Sequence, residues 1–141
     1  MALTFAMSSA KLQANQVDEN QLGAWYMLFF GKDFSYSRFG FQGDIQHRTW
    51  NGSNDLEQLL LRGGVTYSPE DSAIKYTVGL ANITSGQFGP SKKTLTENRV
   101  YQEALISQNV GRQTFLRHRI RLEQRWVSGQ DFRTRIRYAL F

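Results

Sequence analysis

From residue 22 onward, apolar and polar residues alternate with a period of two, in runs covering 22–30, 39–50, 56–67, 73–82, 95–106, 115–127 and 132–141. That period sends successive side chains to opposite faces of an extended strand, whereas a helix needs 3.6. No helix-period segment of useful length occurs. Clusters such as Asn51-Gly-Ser-Asn-Asp55, Ser68-Pro-Glu-Asp-Ser72 and Ser128-Gly-Gln-Asp131 separate the runs and supply turn-forming residues. The chain therefore reads as one all-β domain of consecutive antiparallel hairpins. The runs hold 9–13 residues, against about 5–6 for a typical strand and roughly 9–11 for a tilted strand crossing a bilayer.

The two faces differ in chemistry. Phe39, Phe41 and Ile45 oppose Gln42, Asp44, Gln46 and Arg48. Leu59, Leu61 and Val65 oppose Gln58 and Arg62; Tyr76, Val78 and Leu80 oppose Lys75 and Thr77. Later, Val100, Ala104 and Ile106 oppose Glu97, Arg99 and Glu103. Leu116, Ile120, Leu122 and Trp126 oppose Arg117, Arg119, Arg121, Glu123 and Arg125, and Ile136, Tyr138 and Leu140 oppose Arg133, Arg135 and Arg137. The first run, Ala24 to Phe30, is apolar on both faces.

A soluble barrel or sandwich would turn the apolar faces inward; a transmembrane barrel would turn them to lipid and the polar faces to a lumen. Three features favour the second. The strands are long enough to span. Aromatic residues (Trp25, Phe34, Trp50, Tyr67, Phe115, Trp126, Phe132) sit near strand ends, as interfacial girdles require. Residues 1–14 combine an apolar stretch with small-x-small sites and read as the remnant of a secretory signal peptide, followed by a polar linker at 15–21. The expectation is an exported outer-membrane protein of a Gram-negative envelope, with 22–141 forming the barrel domain.

The charged face supports the same choice. Seven of the twelve arginines lie between Arg117 and Arg137, against five lysines in the whole chain. Arginine is favoured where a planar fork must meet carboxylates in partly buried surroundings. Pairing the fifth and sixth strands so that facing residue numbers sum to 222 sets Glu103 against Arg119, Arg99 against Glu123 and Glu97 against Arg125. Pairing the sixth and seventh at 258 sets Glu123 against Arg135 and Leu122 against Ile136. The expected lumen network is Glu97, Arg99, Glu103, Arg117, Arg119, Arg121, Glu123, Arg125, Arg133, Arg135 and Arg137, with Arg48, Arg62 and Asp44 adding from earlier strands. Arginines exceed carboxylates, so either acidic partners lie outside the chain or water and anions fill the lumen. The odd strand count departs from the even counts of single-chain barrels. It implies an incomplete up-and-down barrel of about seven to eight strands, truncated at its C-terminal side.

The succession Trp25, Gln46-x-Arg48, Gln58-Leu-Leu-Leu-Arg-Gly-Gly-Val-Thr-Tyr67, Glu97-x-Arg99-x-Tyr-Gln102, Arg117-His-Arg-Ile-Arg-Leu-Glu-Gln-Arg125 and Arg133-x-Arg-x-Arg-Tyr138 resembles the domain of unknown function 2490 family over about Leu22 to Phe141. The resemblance implies an exported outer-membrane β-barrel. It supplies no reaction.

Other classes fit less well. The chain holds no cysteine and two histidines, His47 and His118, so thiolate sites and histidine-rich metal centres are not expected. Both histidines fall on apolar faces without a serine at fixed spacing, so no catalytic residue and no cofactor is assigned, although a lipid-modifying barrel enzyme stays open. Net charge +5 and pI near 9.7 permit nucleic-acid binding, but the export-like start argues against it. The expected role is structural, or a small pore or anion-binding role. The expected partners are the bilayer, the barrel-assembly machinery and anions in the lumen. A soluble exported β-domain binding an apolar ligand or nucleic acid is the alternative.

Overall fold

The computed structural model describes residues 22–51, 55–88 and 92–141; the signal-like segment and the linker lie outside them. Seven strands follow one another: β1 (Ala24–Asp33), β2 (Phe39–Thr49), β3 (Leu56–Tyr67), β4 (Ile74–Gly86), β5 (Thr94–Val110), β6 (Thr114–Val127) and β7 (Arg133–Leu140). They form one antiparallel meander in which each strand pairs only with its sequence neighbours. The strand runs read from the alternation are all present, but β1 runs on through Gly31, Lys32 and Asp33, beyond the run at 22–30, and β5 is longer than expected at 17 residues.

The sheet is not closed into a barrel. No pairing joins β1 to β7 among the described residues. In a meander of seven strands the first and last run in the same direction. An antiparallel ladder therefore cannot join them, which is the physical content of the even-count rule.

The sheet is nevertheless strongly curved. Lys75 Nζ of β4 donates to both carboxylate oxygens of Asp33 on β1, at 3.1 and 3.2 Å, across two intervening strands. Curvature hides the polar face and leaves the apolar face outside. Asp44, Thr66, Thr77, Glu97, Glu103, Arg121 and Glu123 are buried. Val65, Val78, Leu80 and Ile136 are 58%, 58%, 65% and 74% exposed. A water-soluble domain shows the reverse, since ionised side chains are almost never fully buried and aliphatic ones usually are. A small apolar cluster remains inside at one end, where Ile83 and Val127 are buried beside Leu60.

Aromatic side chains gather at both ends of the strands. Phe39 lies against Tyr67 at 5.0 Å and Phe34 against Phe41 at 6.0 Å, both ring pairs tilted by 44°. At the opposite end Trp126 meets Phe132 at 5.2 Å and Trp50 meets Phe88 at 5.4 Å. From Phe39 to Trp50 the chain advances about 37 Å at roughly 3.4 Å per residue. Trp25 departs from the girdle expectation: the β1–β2 register puts it opposite Arg48 on the polar face, with the Arg48 guanidinium 3.9 Å from its ring centroid. Trp25 shares the polar face with Arg48, and a guanidinium favours an aromatic face.

Candidate functional site

The registers carry one polar face continuously across the sheet. That face presents Arg48, Arg62, Lys75, Arg99, Arg117, Arg119, Arg121, Arg125, Arg133, Arg135 and Arg137, with the acids Asp33, Asp44, Glu97, Glu103 and Glu123. All eleven residues expected of the network share this face. Asp33, Lys75 and Tyr101 join them.

The charges are not evenly spread. Two central cross-strand rungs, through Tyr101 and Glu103, hold Arg121, Arg135 and Arg137 with Asp33, Glu103 and Glu123, and so balance. Toward the Trp25 end lie five bases (Arg48, Arg62, Arg99, Arg125, Arg133) and two acids (Asp44, Glu97). Toward the opposite end lie Lys75, Arg119 and Arg117 with no acid on their rungs. A neutral band therefore separates two positively charged ends, each with an excess of three.

The acids are held by arginine forks. Glu97 accepts from Arg99 Nε and Nη2 at 2.6 and 3.0 Å, and from Arg125, whose Nη2 lies 2.9 Å from Oε2. Glu103 accepts from Arg121 Nε at 2.7 Å. Glu123, 2% exposed, accepts from Arg135 at 2.9 and 2.6 Å and has Arg99, Arg121 and Arg137 within 3.7–3.9 Å. Asp44 accepts from Arg62 Nε at 2.6 Å and Gln46 Nε2 at 2.7 Å. The Arg99 and Arg125 pairs with Glu97 use both carboxylate oxygens, the bidentate arrangement that is among the stronger polar contacts and fixes side-chain geometry.

The β6–β7 register is as expected, with Glu123 opposite Arg135 and Leu122 opposite Ile136. The β5–β6 register differs by two residues. Facing numbers sum to 224, so Glu103 faces Arg121, Arg99 faces Arg125, and Tyr101 faces Glu123. The even shift preserves both faces. The expected ion pairs survive as diagonals: Arg125 reaches Glu97, Arg99 lies 3.9 Å from Glu123, and Arg119 lies 3.9 Å from Glu103. Arg99, Arg125 and Arg133 stand side by side on one rung. Like charges facing each other cost energy, and Arg99 and Arg125 relieve it by leaning to Glu97.

Tyr101 is 2% exposed at the centre of this face, with the guanidiniums of Arg62 and Arg121 at 5.9 and 5.0 Å from its ring. Its parity with Arg99 and Glu103 was the available sequence signal. His118 lies on the apolar face as expected, where its ring nitrogens contact Tyr138 Oη at 2.8 Å and Gln108 Oε1 at 2.9 Å. Among the described residues no group of three His, Cys, Asp or Glu is placed to hold a metal.

Cavities flank the sheet among the described residues. One, about 460 Å³, opens on the charged face between β1, β3, β5 and β6. Another, about 660 Å³, lies mainly against outward residues such as Phe30, Leu61, Leu80, Val100 and Trp126. It forms where Gly63 leaves the apolar face without a side chain.

The fold and its charged face define a class: a curved antiparallel meander with ion pairs inside and apolar side chains outside. A family model described as "Protein of unknown function (DUF2490)" matches residues 22–141, and the chain belongs to that family. It is 29% identical, over 99% of its length, to an uncharacterized protein of Methylorubrum extorquens, of which it spans 58%. No solved structure matches.

Proposed function

We propose that the chain forms the bilayer-embedded sheet of an exported outer-membrane β-barrel protein, non-catalytic, whose lumen is filled by an arginine–glutamate network that binds anions. One observation carries this reading: four acids and Arg121 are buried on the charged face, while large apolar side chains of the other face, such as Val65, Val78, Leu80 and Ile136, are exposed. In water that arrangement leaves apolar area unburied; in a bilayer lipid covers the apolar band, while the cost of desolvating the interior ions is offset by their pairing in either setting. The aromatic clusters at either end support it, since such residues settle at membrane–water interfaces. The excess of basic over acidic residues supports anion binding over cation passage. The bilayer and the barrel-assembly machinery are the corresponding partners.

The test is extraction and gel mobility. A chain of this kind partitions with membranes, needs detergent to stay in solution, and migrates faster unheated than boiled. A monomer that stays soluble without detergent, with one mobility before and after boiling, contradicts the reading and favours a soluble β-domain.

A further inference from the structure

We infer that the cavity on the charged face is a binding site for a small organic anion that joins one carboxylate to an apolar body. The inference rests on the proposed anion-binding interior and names its ligand class. The cavity, about 460 Å³, falls in the usual range for small-molecule sites, about 300–1,000 Å³. Its lining combines cationic Arg62, Arg117 and Arg119 with apolar Phe29, Leu105 and Phe141, and Leu105 and Phe141 lie directly beside Arg119.

The two acids in its wall are already engaged, Asp44 by Arg62 and Glu103 by Arg121. Arg119 comes no closer than 3.9 Å to Glu103, beyond hydrogen-bonding distance. Arg117 has no carboxylate partner among the described residues. Its guanidinium lies 5.4 Å from the Phe115 ring, and that of Arg119 lies 4.9 Å from the Phe141 ring. Two guanidiniums thus offer unclaimed donors beside aromatic surface. A planar fork suits a carboxylate. Inorganic phosphate would satisfy the donors but leave the apolar wall uncovered, and a neutral hydrocarbon would leave the arginines uncompensated.

The experiment titrates the full chain, refolded in detergent, with 2-naphthoate, followed by calorimetry. 2-Naphthylmethanol and inorganic phosphate are the comparison probes. Saturable naphthoate binding at least tenfold tighter than either comparison supports the inference. Arg119→Gln is expected to weaken it tenfold or more while keeping the strand-rich spectrum, because Arg119 makes no hydrogen-bonded ion pair; Arg117→Gln serves if that variant does not fold. Phosphate binding as tightly as naphthoate overturns the apolar half of the claim. No saturable binding by a chain with heat-modifiable mobility overturns the site and leaves the membrane reading standing. Naphthoate binding by a chain that stays soluble without detergent supports the site and overturns the membrane reading.

Discussion

A β-carbon at position 79 would fall 2.6 Å from both Cζ and Oη of Tyr101. The phenol ring occupies space that only glycine leaves open, and Gly64 on β3 provides the second half of that space, 2.8 Å from Tyr101 Oη by the same measure. With the arginines on its other side, Tyr101 ties three strands to the central neutral band.

Neighbouring glycines should therefore respond differently. A methyl group at Gly64 or Gly79 collides with ring or backbone, and overpacking costs about 1–3 kcal/mol. Gly63, one residue away on the opposite face, has nothing within 4 Å of a β-carbon. Gly63→Ala is expected to be neutral or to stabilise by about 0.5 kcal/mol through the unfolded chain. Urea unfolding of the three variants checks this; equal losses at 63 and 64 would refute the packing of Tyr101.

Glu123→Gln removes the one charge that four arginines share. Breaking a buried pair while leaving its partners costs about 3–5 kcal/mol. Glu70→Gln removes the partner of Arg38, but those side chains are 70% and 53% exposed, and exposed pairs contribute about 0–1 kcal/mol. Unfolding midpoints should separate the two variants widely. Similar midpoints would mean that Glu123 is solvated.

Val78 stands mid-strand on the outer face, opposite Val65 and Gln102. In lipid, Val78→Arg should cost about 2–4 kcal/mol. A chain surrounded by water would show a change within about 0.5 kcal/mol. Unfolding titrations of the variant in phospholipid vesicles distinguish these outcomes.

Much of this was legible in the sequence because a period of two assigns a face without knowledge of partners. Asp44, Arg62, Glu97 and Arg121 each took their side from parity alone. The β5–β6 register was not legible. Arginine is long enough to reach a diagonal neighbour, so sums of 222 and 224 satisfy almost the same ion pairs. The turn decides: Gly111, at φ 67°, opens the three-residue connection between Val110 and Thr114. Gly129, at φ 75°, lies in the five-residue connection 128–132 between β6 and β7, where the expected register holds. Parity puts Tyr101 on the charged face, but its central position depends on the space left by Gly64 and Gly79 beneath it, which parity does not reveal. The odd strand count already implied an incomplete barrel, and strand direction explains the open edge, since β1 and β7 run the same way and share no antiparallel ladder.

The orientation of the two faces relative to lipid is the central claim, and β7 offers the most direct test of it. The chain has no cysteine, so single labels are unambiguous. Ile136→Cys and Arg137→Cys are adjacent on β7 and project to opposite faces. With a bimane on each in turn, in vesicles containing brominated phospholipid, the account predicts strong quenching by lipid at 136 and weak quenching at 137, with iodide showing the opposite order. Stronger quenching by iodide at 136 than at 137, with lipid bromine reaching neither, would contradict it.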